Sequence, residues 1–258
     1  MSELKILNNL IDIGGIATRN NFYSQRKANT YKGAMRQTNI YFKKLQANGF
    51  IDELESPVDL RDPWRQKFYK ITKSGAKFIN RGDEYRASLS KVRSPFTIDH
   101  ESMVKDVALA FIRLYKDYNV IIEVDRKFGK IIPDLVVSLE GEKKYTFLVE
   151  VERKKSADRT VREKLLKYNG FNFERYGLTG MTKVLVLFST FEYNALLRPM
   201  EYKKAEARIE RINKQVQNLI RLSKDLPNIY RFIGFPDFYR LNEPLWFTNK
   251  GDKISLVL

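Results

Sequence analysis

The sequence predicts a mixed α/β (α+β) protein in two domains: a winged helix-turn-helix, then a larger domain built on a mixed sheet. Three observations carry this. Residues 1–81 read as helix, helix, helix, hairpin, helix, and residues 98–258 as α-β-β-β-α-β-α-β. Residues 82–97 between them are polar (Gly82, Asp83, Ser88, Ser90, Ser94, Pro95) and read as a linker. Three adjacent strands followed by a crossover helix imply a mixed sheet flanked by helices.

In the first domain, Leu4, Leu7, Leu10 and Ile11 give an amphipathic helix stopped by Gly14-Gly15. Thr18 caps a short second helix through Gln25. Asn29 or Thr30 caps a third, which runs to a stop at Asn48-Gly49. Phe50-Ile51 and Lys67-Phe68-Tyr69-Lys70-Ile71 form the hairpin strands, joined by a loop holding Pro57, Asp59, Asp62 and Pro63. Thr72-Lys73-Ser74-Gly75 opens a last helix.

The third helix points to a partner. At 100° per residue, Ala34, Thr38, Tyr41 and Leu45 share one stripe, with Lys32, Arg36, Asn39 and Lys43 opposite. No Asp or Glu lies between Asp12 and Asp52, a span holding seven Lys or Arg. An ordinary solvated face mixes signs. A dry face backed by a purely cationic one suits phosphate and base-edge contact in the major groove of double-stranded DNA. The candidate DNA-binding residues are therefore Lys32, Arg36, Asn39 and Lys43.

Composition narrows the chemistry. The 258 residues carry 47 Lys or Arg against 31 Asp or Glu, a net charge of +16, with one His and no Cys. Disulfides, zinc ribbons, iron–sulfur centres and thiol nucleophiles are excluded. So are two- and three-histidine metal sites, HNH nucleases and HExxH proteases. A pI near 9.8 suggests a polyanionic partner. No uncharged apolar run approaches ~18 residues and no signal peptide is read at the start. The expectation is a soluble cytoplasmic protein with no membrane partner.

In the second domain a helix from Asp99 to about Tyr118 has a core stripe of Val104, Val107, Ala108, Phe111 and Tyr115. Strands are predicted at 120–124, 131–139, 145–152, 183–190 and 229–234, with helices at 158–176 and 200–224. Strand residues alternate faces, so Glu150 and Glu152 share a face opposite Phe147, Val149 and Val151. Asp134 falls within the apolar run Ile131–Val137, where burial without a partner costs several kcal/mol. If the two strands are neighbours, Asp134 comes close to both glutamates. Three crowded carboxylates need protonation or a cation, and hard oxygen donors suit Mg²⁺ or Mn²⁺. Exposed acids paired with Arg153, Lys154 and Lys155 are the plainer reading. From Arg153 to Lys183, however, nine Lys or Arg stand against three Asp or Glu. Acids holding a metal, ringed by phosphate-binding cations, are what phosphodiester cleavage requires.

Pro133-Asp134 followed by Glu150-x-Glu152, in an αβββαβ frame, resembles the PD-(D/E)xK nuclease superfamily. With a winged helix before it, the chain resembles the replication-relaxation proteins, including MobC-type relaxases. The resemblance spans nearly the whole chain and implies a restriction-endonuclease-like domain. It implies a metal-dependent DNA nickase of plasmid or integrative-element transfer or replication. By it, Asp134, Glu150 and Glu152 match the family acids. Glu101 matches the glutamate that many members add to the metal shell. The third-motif lysine is replaced by Glu152, and Lys164 on the next helix is the candidate for its place. The catalytic set is thus Asp134, Glu150, Glu152 and Lys164, and the metal set Asp134, Glu150, Glu152 and Glu101. If no lysine reaches the acids, the alternative is a catalytically degenerate, sequence-specific DNA-binding regulator or accessory factor.

His100 and Tyr168 have two readings each. His100 is a packed histidine or a support for the acids. Tyr168 is a core residue or a covalent nucleophile. The 200–224 helix covers the sheet or forms a homodimer seam, and Trp246 anchors C-terminal packing. Other transfer or replication proteins are further candidate partners.

Overall fold

The computed structural model describes residues 2–23, 31–54, 67–85, 95–153, 158–178, 180–189, 202–234 and 240–257. They fall into two compact units, Met1–Leu109 and Ala110–Leu258. The first unit opens with helix α1 (Glu3–Asp12), capped where Lys5 N donates to Ser2 Oγ at 3.3 Å. Its buried stripe is Ile6, Leu7 and Leu10, continued by Ile13, while Leu4 is exposed. Strand β1 (Ile16–Thr18) follows, an element too short for its alternation to be read. Helix α2 (Arg19–Tyr23) starts on a reciprocal cap: Thr18 N donates to Asn21 Oδ1 at 2.8 Å and Asn21 N to Thr18 Oγ1 at 3.4 Å. Gln25, the predicted end of α2, and both predicted caps of the third helix, Asn29 and Thr30, lie outside the described residues.

Helix α3 (Tyr31–Ala47) ends as its sequence dictates. Gly49 takes φ +69, and Phe50 N donates back to Leu45 O at 2.9 Å, which closes the last turn. Strands β2 (Ile51–Leu54) and β3 (Phe68–Ile71) then form an antiparallel sheet with β1, in the order β1-β3-β2. Their connecting loop lies outside the described residues. Helix α4 (Lys73–Phe78) is capped by Thr72, whose Oγ1 accepts from Gly75 N at 3.0 Å.

Of the predicted linker 82–97, Gly82–Glu84 is a 3-10 turn and residues 86–94 lie outside the described residues. Helix α5 (Pro95–Leu114) begins earlier than Asp99, since proline fits a first helical turn. Its part up to Leu109 belongs to the first unit. There Asn21 Nδ2 donates to Asp106 Oδ1 at 2.9 Å, and Lys105 Nζ donates to Ile13 O.

The second unit is a mixed seven-stranded sheet with helices. Its strands are β4 (Asn119–Val124), β5 (Leu135–Glu140), β6 (Lys144–Arg153), β7 (Met181–Ser189), β8 (Tyr230–Gly234), β9 (Trp246–Thr248) and β10 (Lys253–Ile254), ordered β10-β9-β8-β7-β6-β5-β4. β4, β5 and β6 run antiparallel in turn; β6, β7 and β8 are parallel; β9 and β10 return antiparallel. β6 therefore joins the antiparallel part of the sheet to the parallel part, as β8 does on the other side. β5 starts at Leu135 rather than 131, because Pro133 lacks a ladder donor. Ile131 instead bridges back to Phe128.

Helix α6 (Asp158–Tyr168) is shorter than predicted, and Gly170 at φ +76 follows its end. The rest of 158–176 is a loop and a 3-10 turn at Glu174–Tyr176. Helix α7 (Tyr202–Leu222) buries Ile212, Val216 and Leu219 against β7 and β8. A Cβ at Gly234 would lie 2.4 Å from Ile212 Cγ2, so the helix rests where the strand has no side chain. The apolar face considered as a dimer seam thus covers its own sheet. Trp246 is fully buried and donates to Leu241 O at 2.9 Å. No helix among the described residues is long and apolar enough to cross a membrane.

Candidate active site

The two strands predicted to carry the acids are neighbours. Leu135 on β5 faces Val149 on β6, so Asp134 stands one step beyond that pair. It sits at the bend before β5 rather than within the strand. Its Oδ2 accepts from Val151 N at 2.7 Å, between the two glutamates in sequence. Glu150 and Glu152 share a face of β6 and are 5% and 4% exposed, a depth that carboxylates reach only with partners. Those partners come from α6, where Lys164 and Tyr168 stand four residues apart on one face. Lys164 Nζ lies 2.6 Å from Glu152 Oε1 and 3.1 Å from Glu150 Oε2. Tyr168 Oη donates to Glu150 Oε1 at 2.5 Å.

Charge within this centre is unequal. Asp134, Glu150 and Glu152 outnumber the single ammonium of Lys164. Burial first, and the nearby Asp134 second, push the Glu150 carboxyl well above the ordinary carboxylate range. Lys164 and the Tyr168 hydroxyl oppose that rise. Burial works against the Lys164 ammonium, yet Glu150 and Glu152 outweigh it and raise its pKa. Burial and Glu150 likewise raise Tyr168, so its hydroxyl stays protonated as a donor. A covalent nucleophile needs the opposite shift, so Tyr168 acts here as a brace for Glu150.

The donor set is chemically suited to a hard divalent cation, but its spacing is not. Among the described residues no three Asp, Glu or His side chains are grouped to hold a metal ion. Both Glu150 oxygens are engaged, one by Tyr168 and one by Lys164. Glu101, the fourth expected ligand, lies half-buried on α5 within the first unit, as does His100.

On α3, Thr38, Phe42 and Leu45 form the buried stripe, with Phe42 at its centre and Tyr41 on its flank. Arg36 and Lys43 are exposed. Asn39 is half-buried and accepts from Arg19 Nη1 at 3.0 Å, so it is tied to α2. The Arg19 guanidinium also lies 5.1 Å from the Tyr69 ring centre. The Lys32 side chain lies outside the described residues. Two residues escaped the sequence reading, Arg19 and the bracing role of Tyr168. The signal for Tyr168 was its i,i+4 spacing from Lys164; for Arg19 it was a cation beside the Thr18 cap in an acid-free span.

A family model described as replication-relaxation matches residues 15–184, from the turn before β1 into β7. No curated protein and no solved structure matches the chain.

Proposed function

The chain belongs to the replication-relaxation family, and from that premise we propose that it binds duplex DNA and nicks one strand during replication or transfer of a plasmid or integrative element. In this reading the first unit is a winged helix-turn-helix that presents Arg36 and Lys43 of α3 to the groove. The second unit is a PD-(D/E)xK-type nuclease domain whose centre is Asp134, Glu150, Glu152 and Lys164. The observation that carries the reading is Lys164 reaching both glutamates from α6. A purely structural ion pair needs one acid. Two buried glutamates on one lysine, with Asp134 held nearby by the Val151 amide, leave negative charge that packing alone does not call for.

The chain's own groups have distinct tasks. Lys164, 36% exposed at its side chain, offers positive charge to a scissile phosphate. Tyr168 fixes the Glu150 carboxylate, and the Val151 amide fixes Asp134. Mg²⁺ or Mn²⁺ is the proposed cofactor on charge grounds. The side chains as they stand do not fit an ion, and no step is assigned to one.

Supercoiled cognate plasmid incubated with Mn²⁺ tests the proposal. Wild type should relax it and Asp134→Ala should not; relaxation by neither, or equally by both, removes the cleavage reading. A second reading, a DNA-binding accessory factor without cleavage, is favoured by Glu152 standing where the resemblance calls for the third-motif lysine. Calorimetric titration with Mn²⁺ separates them, since binding that is abolished in Glu150→Ala speaks for the enzyme.

A further inference from the structure

The second unit carries an aromatic surface that the acid–lysine centre leaves unused. Phe171 and Tyr176 stack, with ring centres 5.1 Å apart and planes 9° from parallel. Phe173 meets Phe171 edge-on at 5.0 Å. Phe128, buried beneath, supports both stacked rings edge-on at 5.9 and 5.5 Å. Phe171, Phe173 and Tyr176 are only half-buried, and Ile132 on the adjoining segment is 50% exposed. Rings stacked on a firm base and left half open retain apolar surface for a flat ligand.

The rim of this surface is cationic. Lys127, Lys130, Lys167 and Arg175 are exposed, and among the described residues none of them is in an ion pair. The exposed acids on the same two segments are Asp125 and Glu174; Glu123 is already paired with Arg126. Arg126 stands over the Phe128 ring at 4.9 Å and donates to Tyr176 O at 3.2 Å, which joins the two segments. Both segments lead directly into the proposed centre. Ile131, which bridges Phe128, lies three residues before Asp134. Phe171 N donates to the carbonyl of Tyr168, whose hydroxyl holds Glu150.

We propose that this platform seats unpaired DNA bases beside the centre, stacked on the Phe171–Phe173–Tyr176 rings with their phosphates on Lys130 and Arg175. Half-open rings interleaved with unpaired cations match the two faces of a single strand, π surface and phosphate. A duplex presents phosphates but keeps its base faces covered. An apolar protein partner would meet four exposed cations against only two exposed acids, Asp125 and Glu174. The proposal takes its location from the DNA-processing reading above but is tested apart from it.

The test uses the full chain and fluorescence anisotropy, with a labelled oligothymidine and a duplex of equal length. Phe173→Ala and the double variant Lys130→Glu/Arg175→Glu should each weaken oligothymidine binding by about tenfold or more. Duplex affinity should stay within about twofold, because α3 is untouched. Oligothymidine substituted with 5-iodouridine should photocrosslink within residues 171–176, a readout that needs no variant to fold. Absence of oligothymidine binding by wild type overturns the proposal, as do unchanged variants or crosslinks elsewhere. A protein that binds the oligomer at this surface but leaves plasmid uncut loses the cleavage reading alone. One that cuts plasmid without binding the oligomer loses this one alone.

Discussion

Lys164 is the single residue on which the acid centre turns. Lys164→Met keeps the aliphatic stem but leaves two glutamates buried without their cation, so it should abolish relaxation and cost roughly 2–4 kcal/mol of stability. Urea denaturation followed by circular dichroism measures that loss; a variant as stable as wild type would mean the pairing contributes little. Asp106 in the first unit gives a pH test. Burial outweighs the Asn21 hydrogen bond and raises Asp106 to about 7 from 3.8. The folded state thus holds this proton more tightly than the unfolded chain. Its contribution is fully present below pH 3.8 and is lost as pH rises to about 7. Asp106→Asn should flatten this slope and be roughly 1–3 kcal/mol more stable than wild type at pH 8. Equal slopes from denaturation at pH 5 and pH 8 would contradict it. Strand alternation is a local rule, so the shared face of Glu150 and Glu152 was legible in the sequence, whereas Asp134 was expected within the strand and stands at the bend before it. The sequence hid the Asp106–Asn21 bond, which joins residues 85 apart in the chain.

Among the elements, α3 matches its sequence at the C-terminal stop and at Thr38 and Leu45, while Phe42 rather than Tyr41 fills the middle of its buried stripe. Its end depends on Gly49, where nothing lies within 4 Å of an added Cβ, so only the positive φ resists substitution. Gly49→Ala should cost about 1 kcal/mol. Gly75 in α4 is the contrasting case. A Cβ there would lie 2.2 Å from the Phe50 carbonyl oxygen, and Gly75→Ala should cost roughly 2–3 kcal/mol through backbone displacement. Thermal denaturation of the two variants checks the order; a reversed order would refute the steric account. The exposed cations of α3 belong to the same scale. Arg36→Glu and Lys43→Glu should each weaken duplex binding and lower the salt slope by about one phosphate contact. Asn39→Ala should act through loss of the Arg19 bond instead, and so through stability. Periodicity placed α3 well because seventeen residues average out exceptions. It missed β1, β9 and β10, which span two or three residues and are held by register with a neighbour rather than by their own pattern.

For the molecule as a whole, the +16 charge is carried by a chain of two units, and the proposed duplex and single-strand surfaces draw on it differently. Duplex affinity governed by phosphate contact should fall steeply with salt, whereas base stacking should leave oligothymidine binding less sensitive. Parallel titrations at two ionic strengths compare them, and identical slopes would mean that both ligands use one surface. The mixed sheet was foreseeable from three early strands and a crossover helix. The approach of α6 to the acids was signalled only through the family resemblance that put Lys164 forward, since nothing local says how far a helix leans toward a strand. That approach has a consequence for folding order. β6 buries its glutamates on the face that receives Lys164, and α6 is held there by that ion pair together with buried Leu165 and Tyr168. Strand burial and helix docking therefore form one cooperative step. Amide hydrogens of β6 and α6 should exchange with solvent through a common opening, and Lys164→Met should divide it into two.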